Sequence, residues 1–230
     1  MSVPPRTALV DLGLGNLHSV ARSLEAAGAD VVRVGEPSTL RGFDRIVVPG
    51  QGAFRDGAAA LEAGWRTPLL EALHGSTPLL GICIGMQLLF AESEEAPGAR
   101  GLGFIPGRVR RFPKNLGCDP KTGAPLKVPH MGWNQLSAAS SLLGEGTYYY
   151  FVHSYFCELH TAAGVATLGT SETEGAGSVT CAAVAHHGIA FCAALAQGPL
   201  LAVQFHPEKS HHAGARLLRS FLRPEAASAQ

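Results

Sequence analysis

A chain of 230 residues, 46% hydrophobic and 16% charged, has the composition of a folded globular protein and not of a disordered one. Its 18 Lys and Arg balance 18 Asp and Glu, so no charge excess points to nucleic acid or to an anionic membrane. No apolar run approaches the roughly 18 residues that cross a bilayer, no signal peptide is expected, and five cysteines without close pairing predict a reducing cytoplasm and no disulfide framework.

The first strand signal, residues 7–11, ends in Gly13-Leu14-Gly15-Asn16. Leu17, Val20, Ala21 and Leu24 then recur at helical spacing, and Gly28 is a natural helix stop. A second strand at 30–34 completes a strand–helix–strand unit, which predicts a parallel sheet. The Gly-x-Gly loop lacks the third glycine of a dinucleotide fingerprint and reads better as a tight turn. A third strand, 43–48, runs into Pro49-Gly50-Gln51-Gly52. This loop is either an ordinary turn or a set of backbone N–H groups open to a ligand at the carboxyl edge of the sheet. Helices are expected over 53–61 and 65–73.

Residues 78–82 read as a buried parallel strand that turns sharply into a helix over 86–90. Cys83 stands at the turn between Gly81 and Gly85. A strand-to-helix elbow exposes the residue at its tip, and the glycines remove side chains that would clash there. The helix start favours a thiolate, the nucleophilic form of Cys, and the N–H of Ile84 can face an oxyanion. A buried structural cysteine is the competing account.

From 96 to 125 Gly and Pro are frequent, and Arg108, Arg110, Arg111 and Lys114 cluster. A solvated surface is the favoured reading of this basic patch, ahead of an anion site. Short β-rich segments follow at 127–136, 148–157, 164–170, 180–186 and 189–195, with no linker to set them apart. They suggest an antiparallel or mixed region laid against the parallel sheet. The strand 200–205 delivers His206-Pro207-Glu208, a helix spans 213–222, and the tail after 224 is expected to fray. The fold class is therefore α/β: a central, mostly parallel open sheet flanked by helices, with an added antiparallel β region in the C-terminal half. Residues 1–230 are expected to form one domain.

A thiol with a His base and a carboxylate behind it is a general nucleophilic triad, and Cys83, His206 and Glu208 could supply it. Taken alone, His206 and Glu208 read better as a surface pair at the end of a core strand. The order nucleophile, His, acid is not that of the α/β-hydrolases. The adjacent pairs His186-His187 and His211-His212 lack the spacing of metal ligands, and no metal or cofactor is expected.

Together, Gly81-Ile-Cys83-Ile-Gly-Met-Gln87 and the distant His206-Pro-Glu208 resemble the class I (triad) glutamine amidotransferases. Further segments are Asp11–Leu17, Pro49–Gly52, Pro129-His-Met-Gly-Trp133-Asn134, Tyr150-Phe-Val-His153-Ser154-Tyr155 and Gln204–Ser210. They narrow the resemblance to the glutaminase subunits of imidazole glycerol phosphate synthase, from residue 11 to residue 210. Two departures are Leu12, where that family often has an aromatic, and a longer insert between Cys118 and Pro125. The resemblance implies hydrolysis of L-glutamine to glutamate and ammonia, with Cys83 as nucleophile, His206 as acid–base and Glu208 behind it. It implies an oxyanion site from Ile84 and the Gly50-Gln51-Gly52 loop, and substrate contacts from Gln87, His153, Ser154 and Tyr155. It also implies a (β/α)8-barrel cyclase partner that uses the ammonia, with Asn16, Trp133, Tyr150 and Lys209 towards it. Core packing is the competing account of Trp133 and Tyr150. Another amidotransferase subunit, a Cys hydrolase and a non-catalytic regulatory module remain as rival readings.

Overall fold

The computed structural model describes residues 3–138, 140, 142–161, 164–166 and 179–223; the expected strand at 164–170 lies partly outside the described residues and the tail after 224 wholly so. In chain order the elements begin β1 (Arg6–Val10), α1 (Leu17–Ala27), β2 (Asp30–Val34), β3 (Arg45–Val48), α2 (Phe54–Ala60), α3 (Arg66–His74), β4 (Leu79–Ile82) and α4 (Ile84–Gln87). They continue with β5 (Gly107–Arg111), β6 (His130–Ala138), β7 (Tyr148–His153), β8 (Tyr155–Thr161), β9 (Gly164–Ala166), β10 (Thr180–His187), β11 (Ile189–Gln197), β12 (Leu200–Val203) and α5 (His211–Leu222).

Among the described residues twelve strands share one sheet, ordered β2-β1-β3-β4-β12-β11-β10-β6-β7, with β8 joining β11 to β5 and β9. The first five are mutually parallel, and from β12 onward each neighbour is antiparallel. The antiparallel region therefore extends the parallel sheet edge to edge and is not laid against it. The cause is the Gly198-Pro199 connection between β11 and β12. It is far too short for a crossover, so the two strands must run antiparallel while β12 still pairs in parallel with β4.

Alternation along the central strands sorts the core onto two faces. Ala8, Val10, Ile46, Val48, Leu79, Leu200 and Ala202 pack beneath α2 and α3 with Phe54, Leu61, Trp65 and Leu69. Leu9, Val47, Leu80, Ile82, Leu201 and Val203 face α1 and α5, meeting Val20, Leu24, Leu217, Leu218 and Phe221. The result is a helix–sheet–helix sandwich of the kind that buries a parallel sheet on both sides. Helix α1 is closed as its sequence suggests: Asn16 Oδ1 caps Ser19 N–H at 3.2 Å, and Gly28 takes the left-handed φ of 103° while Ala29 N–H returns to Leu24 C=O.

Two local expectations are corrected, and the basic stretch gains partners. The two helices at 53–61 and 65–73 run into one another through a π turn, Leu61–Trp65, opened at Gly64 (φ 122°). The helix expected at 86–90 is the single turn α4. It stops because the carbonyls of Leu88 and Leu89 are taken by the N–H groups of Leu102, Phe104 and Ile105 instead of by a following helical turn. Arg108, Arg110 and Arg111 of the basic stretch lie on strand β5, where the first two stay partly exposed, as a solvated surface implies, and part of the charge is paired in place. Glu158 receives Arg108 Nε at 2.8 Å and Arg110 Nη1 at 2.7 Å, and Arg110 also reaches Glu94. Burial pushes Glu158 up, but the two guanidiniums more than reverse this and hold its carboxyl below the usual range.

Candidate active site

Cys83 lies where β4 ends, and its backbone is forced into φ 53°, ψ −104°, a region that non-glycine residues rarely adopt. Such a conformation costs on the order of 1–3 kcal/mol and persists only where the surroundings impose it. They do so here. Cys83 N–H donates to Val203 C=O on β12 at 2.8 Å, and its own C=O accepts from Met86 and Gln87 N–H. None of these bonds uses the N–H of Ile84, a residue that lines the cavity. The glycines are needed: a Cβ on Gly81 would come within 3.0 Å of Gly85 C=O, and one on Gly85 would collide with the Val48 carbonyl. The elbow therefore sits directly against β3 and the 49–52 loop.

His206 follows β12, the parallel neighbour of β4, so both chain ends open at the same sheet edge. Its Nδ1 bonds Glu208 Oε1 at 2.8 Å, with both side chains almost completely buried. The short loop is strapped to β7. His206 N–H donates to Tyr150 C=O, Ser210 Oγ donates to His206 C=O at 2.6 Å, and Tyr150 N–H donates to Ser210 Oγ at 3.0 Å. Burial by itself would push the imidazole down. The Cys83 sulfur on one side and the Glu208 carboxylate on the other reverse this and push it up to about 10. With Nδ1 taken by Glu208, Nε2 has no conventional hydrogen-bond partner among the described residues, and the Cys83 sulfur is the reactive group beside it.

A cavity of about 400 Å³ opens over this pair. Gln51, Gly52, Cys83, Ile84, Gln87, His153, Ser154, Tyr155 and His206 line it, together with Tyr150 and Lys209. Gly50 stands behind the lining, where a Cβ would strike the Ile84 side chain at 2.6 Å. Trp133 and Asn16 do not line the cavity. Asn16 is exposed, and its Oδ1 is committed to capping α1. Gly15 beside it packs against the Gln51 N–H, where a Cβ would come to 2.7 Å. Glu95, which sequence reasoning passed over, also lines the cavity and accepts Phe54 N–H through Oε2 at 2.9 Å. Its place in an acidic surface-type run, Glu92–Glu95, gave no signal that one carboxylate turns inward.

Behind the cavity wall lies a buried histidine chain, also unforeseen. The Tyr155 C=O can only accept, so His153 Nδ1, at 2.7 Å, carries its proton. His153 Nε2 must then accept from His130 Nδ1 at 3.0 Å, and His130 Nε2 accepts from Asn134 Nδ2 at 3.1 Å. His130 stacks on His187 at 4.2 Å. Burial, and then the neighbouring imidazoles, hold His130 down at about 2. Burial likewise holds His153 at about 3, against the Tyr155 bond that favours its protonated form. All five cysteines are free, and among the described residues no group of three His, Cys, Asp or Glu could hold a metal ion. No helix among them is long and apolar enough to cross a membrane.

Outside the cavity, β6 and β7 present Met131, Trp133 and Tyr148 to solvent at 62%, 46% and 45% exposure. Trp133 pairs with Tyr150 across the strands and stacks flat on His211 at 5.0 Å, so core packing does not account for it. Lys209 lies 5.7 Å over the Tyr150 ring. The 118–125 insert closes as a small turn around Asp119, and its Lys121 reaches Tyr148 Oη at 3.2 Å. Leu12 is simply buried in the core.

The glutamine amidotransferase class-I family matches residues 8–224. The imidazole glycerol phosphate synthase subunit HisH of Methylococcus capsulatus is 43% identical over 226 residues, covering 95% of this chain and 96% of that protein. Subunit HisH 1 of Pseudomonas aeruginosa is 42% identical over 221 residues, covering 94% and 95%. Among solved structures, a crystal structure of a glutamine amidotransferase aligns with a TM-score of 0.66 at 20% identity, covering 94% of this chain and 96% of that one. A chain from the structure of PurLQS from Thermotoga maritima aligns with 0.69 at 16%, covering 96% and 99%. These two likenesses concern the fold alone. The chain belongs to the class I glutamine amidotransferases and, within them, to the imidazole glycerol phosphate synthase subunit HisH family.

Proposed function

We propose that the chain, acting as one domain in the cytoplasm, hydrolyses L-glutamine with Cys83, His206 and Glu208 and passes the ammonia to a (β/α)8-barrel cyclase subunit. That subunit makes imidazole glycerol phosphate and an aminoimidazole carboxamide ribotide for histidine biosynthesis. The observation that carries this reading is the strained Cys83 elbow facing the buried His206–Glu208 pair in a cavity sized for an amino acid. The Cys83 sulfur attacks the carboxamide carbon. The developing oxyanion is met by the Ile84 N–H and by a backbone N–H of the Gly50-Gln51-Gly52 loop, each worth about 3–4 kcal/mol of transition-state stabilisation. His206 gives its proton to the departing ammonia, which leaves a glutamyl thioester, and Glu208 holds the imidazole in place. Water then attacks the thioester, His206 takes its proton, and glutamate is released.

Gln87 and the His153-Ser154-Tyr155 segment hold the substrate. Gln87 Oε1 is buried without a hydrogen-bond partner among the described residues, as suits an acceptor reserved for a ligand donor. Glu95, which lines the cavity, meets the α-ammonium group. Trp133, Tyr150, Lys209 and Asn16 face the cyclase, with Met131 and Tyr148 extending the apolar part of that surface. Such a patch on an exposed sheet face suits a protein partner. An interface at the outer edge of the cavity shelters ammonia from water, where it would be protonated and lose its nucleophilicity.

The test is ammonia release from L-glutamine by the chain alone and with the cyclase subunit plus its nucleotide ligand. A rise on complex formation that is abolished by Cys83→Ala supports the reading. No release from a complex shown to have formed refutes it.

A further inference from the structure

The Gln204 carboxamide is fully buried beside the reactive sulfur, and the fold leaves it one orientation. Its backbone is held on both sides: Gln204 N–H donates to Ala193 C=O on β11, while the preceding Val203 C=O accepts from Cys83 N–H. Its Nε2 lies 3.5 Å from Cys83 Sγ, and its Oε1 lies 3.0 Å from Gln87 Nε2. That same Gln87 nitrogen lies 3.2 Å from Tyr155 C=O.

Chemistry alone sets the polarity of this chain. The Tyr155 carbonyl can only accept, so the Gln87 atom facing it is the NH2 group. The Gln204 atom facing that NH2 must be the oxygen, and its own NH2 therefore points at Cys83. We infer that Gln204 is the electrostatic partner of the nucleophile: an amide donor, locked through Gln87 by a backbone carbonyl, that stabilises sulfur in its thiolate form. This deepens the glutaminase reading and rests on Cys83 being the nucleophile.

An NH2 group offers nothing to the proton of a thiol but a charge-assisted bond to a thiolate. The other groups around the sulfur act differently. His206, backed by Glu208, stabilises the thiolate only while it is protonated. Cys157 on β8 adds no charge, because burial pushes its thiol well up. Gln204 donates at every pH and at every stage of the reaction. Its stabilisation persists during thioester hydrolysis. In that step water bonds to the carbonyl carbon, its proton goes to His206, and the C–S bond breaks with the electron pair leaving on sulfur. Loss of the donor should therefore slow both halves of turnover.

The experiment is alkylation of Cys83 by iodoacetamide across pH, followed on the Cys83 peptide by mass spectrometry because Cys118 is exposed and also reacts. The variants are Gln204→Met, which keeps length and removes the donor, and Gln204→Glu, which turns a carboxylate towards the sulfur. The expected result is a fall of about tenfold in rate near neutrality for Gln204→Met and a larger one for Gln204→Glu, closing at about pH 10 where thiols ionise regardless. A profile that is unchanged in a folded variant, or a loss equal at every pH, overturns the assignment, since altered access would act at all pH values. Should both variants fail to fold, the side-chain amide of Gln204 is followed by NMR in the native chain. Its resonances should move as Cys83 ionises and stay put in Cys83→Ala; no movement in the native chain overturns the assignment equally. None of these readouts needs glutamine turnover, so a chain without glutaminase activity would refute the functional reading and leave Gln204's role standing or falling by itself.

Discussion

The buried histidine chain makes the fold acid-sensitive in a window where carboxylates do not yet titrate. His130 and His153 are held neutral, at about 2 and about 3, whereas each is an ordinary imidazole near 6.5 once the chain unfolds. The folded values are depressed, so the stabilisation is complete above the unfolded value and is lost as pH falls below it. Below about pH 6 the unfolded state binds two more protons than the native state, which gives a slope of about 2.7 kcal/mol per pH unit. From pH 7 to pH 5 the loss is about 4 kcal/mol, a large part of the 5–15 kcal/mol typical of a domain. His206 offsets only a small part of it. Its folded value is raised to about 10, so the native ring stays protonated through this window while the unfolded one gains its proton near 6.5, and this linkage returns only about 0.8 kcal/mol of the loss. Glu158 and Asp11, held below the usual carboxylate range, add their own losses only at lower pH.

The assay is urea unfolding at a series of pH values from 7 to 5, on the native chain and on His130→Asn. The Asn amide can keep the donation towards His153 Nε2, so the variant removes one titrating group and leaves the other. Its overall stability will fall because ring stacking on His187 and Phe151 is lost. The slope against pH is the diagnostic: it should halve, to about 1.4 kcal/mol per unit. A native stability that is flat between pH 7 and 5, or a slope unchanged in His130→Asn, would refute the claim that these imidazoles are locked neutral.

Removing the sulfur in Cys83→Ala should lower His206 from about 10, because burial then opposes Glu208 alone; NMR titration of the ring reads this, and an unmoved value would mean the sulfur is not coupled to the imidazole. Gly85→Ala should cost about 3 kcal/mol or more in urea unfolding, because the new methyl meets the backbone carbonyl of Val48 and no side chain can yield. A loss under about 1 kcal/mol would show that the elbow is not packed against β3 as described. Trp133→Ala should leave the isolated chain within about 1 kcal/mol of native stability and weaken cyclase binding by about 2 kcal/mol or more, read by calorimetry. Unchanged affinity would remove the β6–β7 face from the interface.

Much of the architecture was legible because it rests on local pattern. Central parallel strands, buried on both faces, read as nearly unbroken apolar runs, so β1, β3, β4 and β12 stood out, and Gly28 marked the end of α1. What escaped was decided by distant partners. Strand β5 carries Arg108, Arg110 and Arg111, and its partner is β8, whose half-buried Glu158, fifty residues from Arg108, receives two of the guanidiniums. Helix α4 is cut short by N–H groups at 102–105 that its own sequence does not announce.

The site divides in the same way. Cys83 could be singled out because an elbow needs glycines on both sides, and His206 and Glu208 because a strand end presents them two residues apart. Glu95, His130 and Gln204 could not be assigned from spacing, since each takes its role from a bond to another segment. One signal was nevertheless present. Gln87 and Gln204 are single amides inside the apolar stretches MQLLF and LLAVQF. A carboxamide placed where the chain is certain to be buried must find hydrogen-bonding partners or lose several kcal/mol. Two such amides flanking the proposed nucleophile and base are therefore more economically explained by bonding to each other than by two separate solutions. That inference requires only burial and satisfaction, and the 3.0 Å contact between them is its outcome. The same logic extends to the sulfur. Once one amide's oxygen is spent on the other's nitrogen, the remaining NH2 of Gln204 has to face an acceptor, and the acceptor the fold supplies is Cys83.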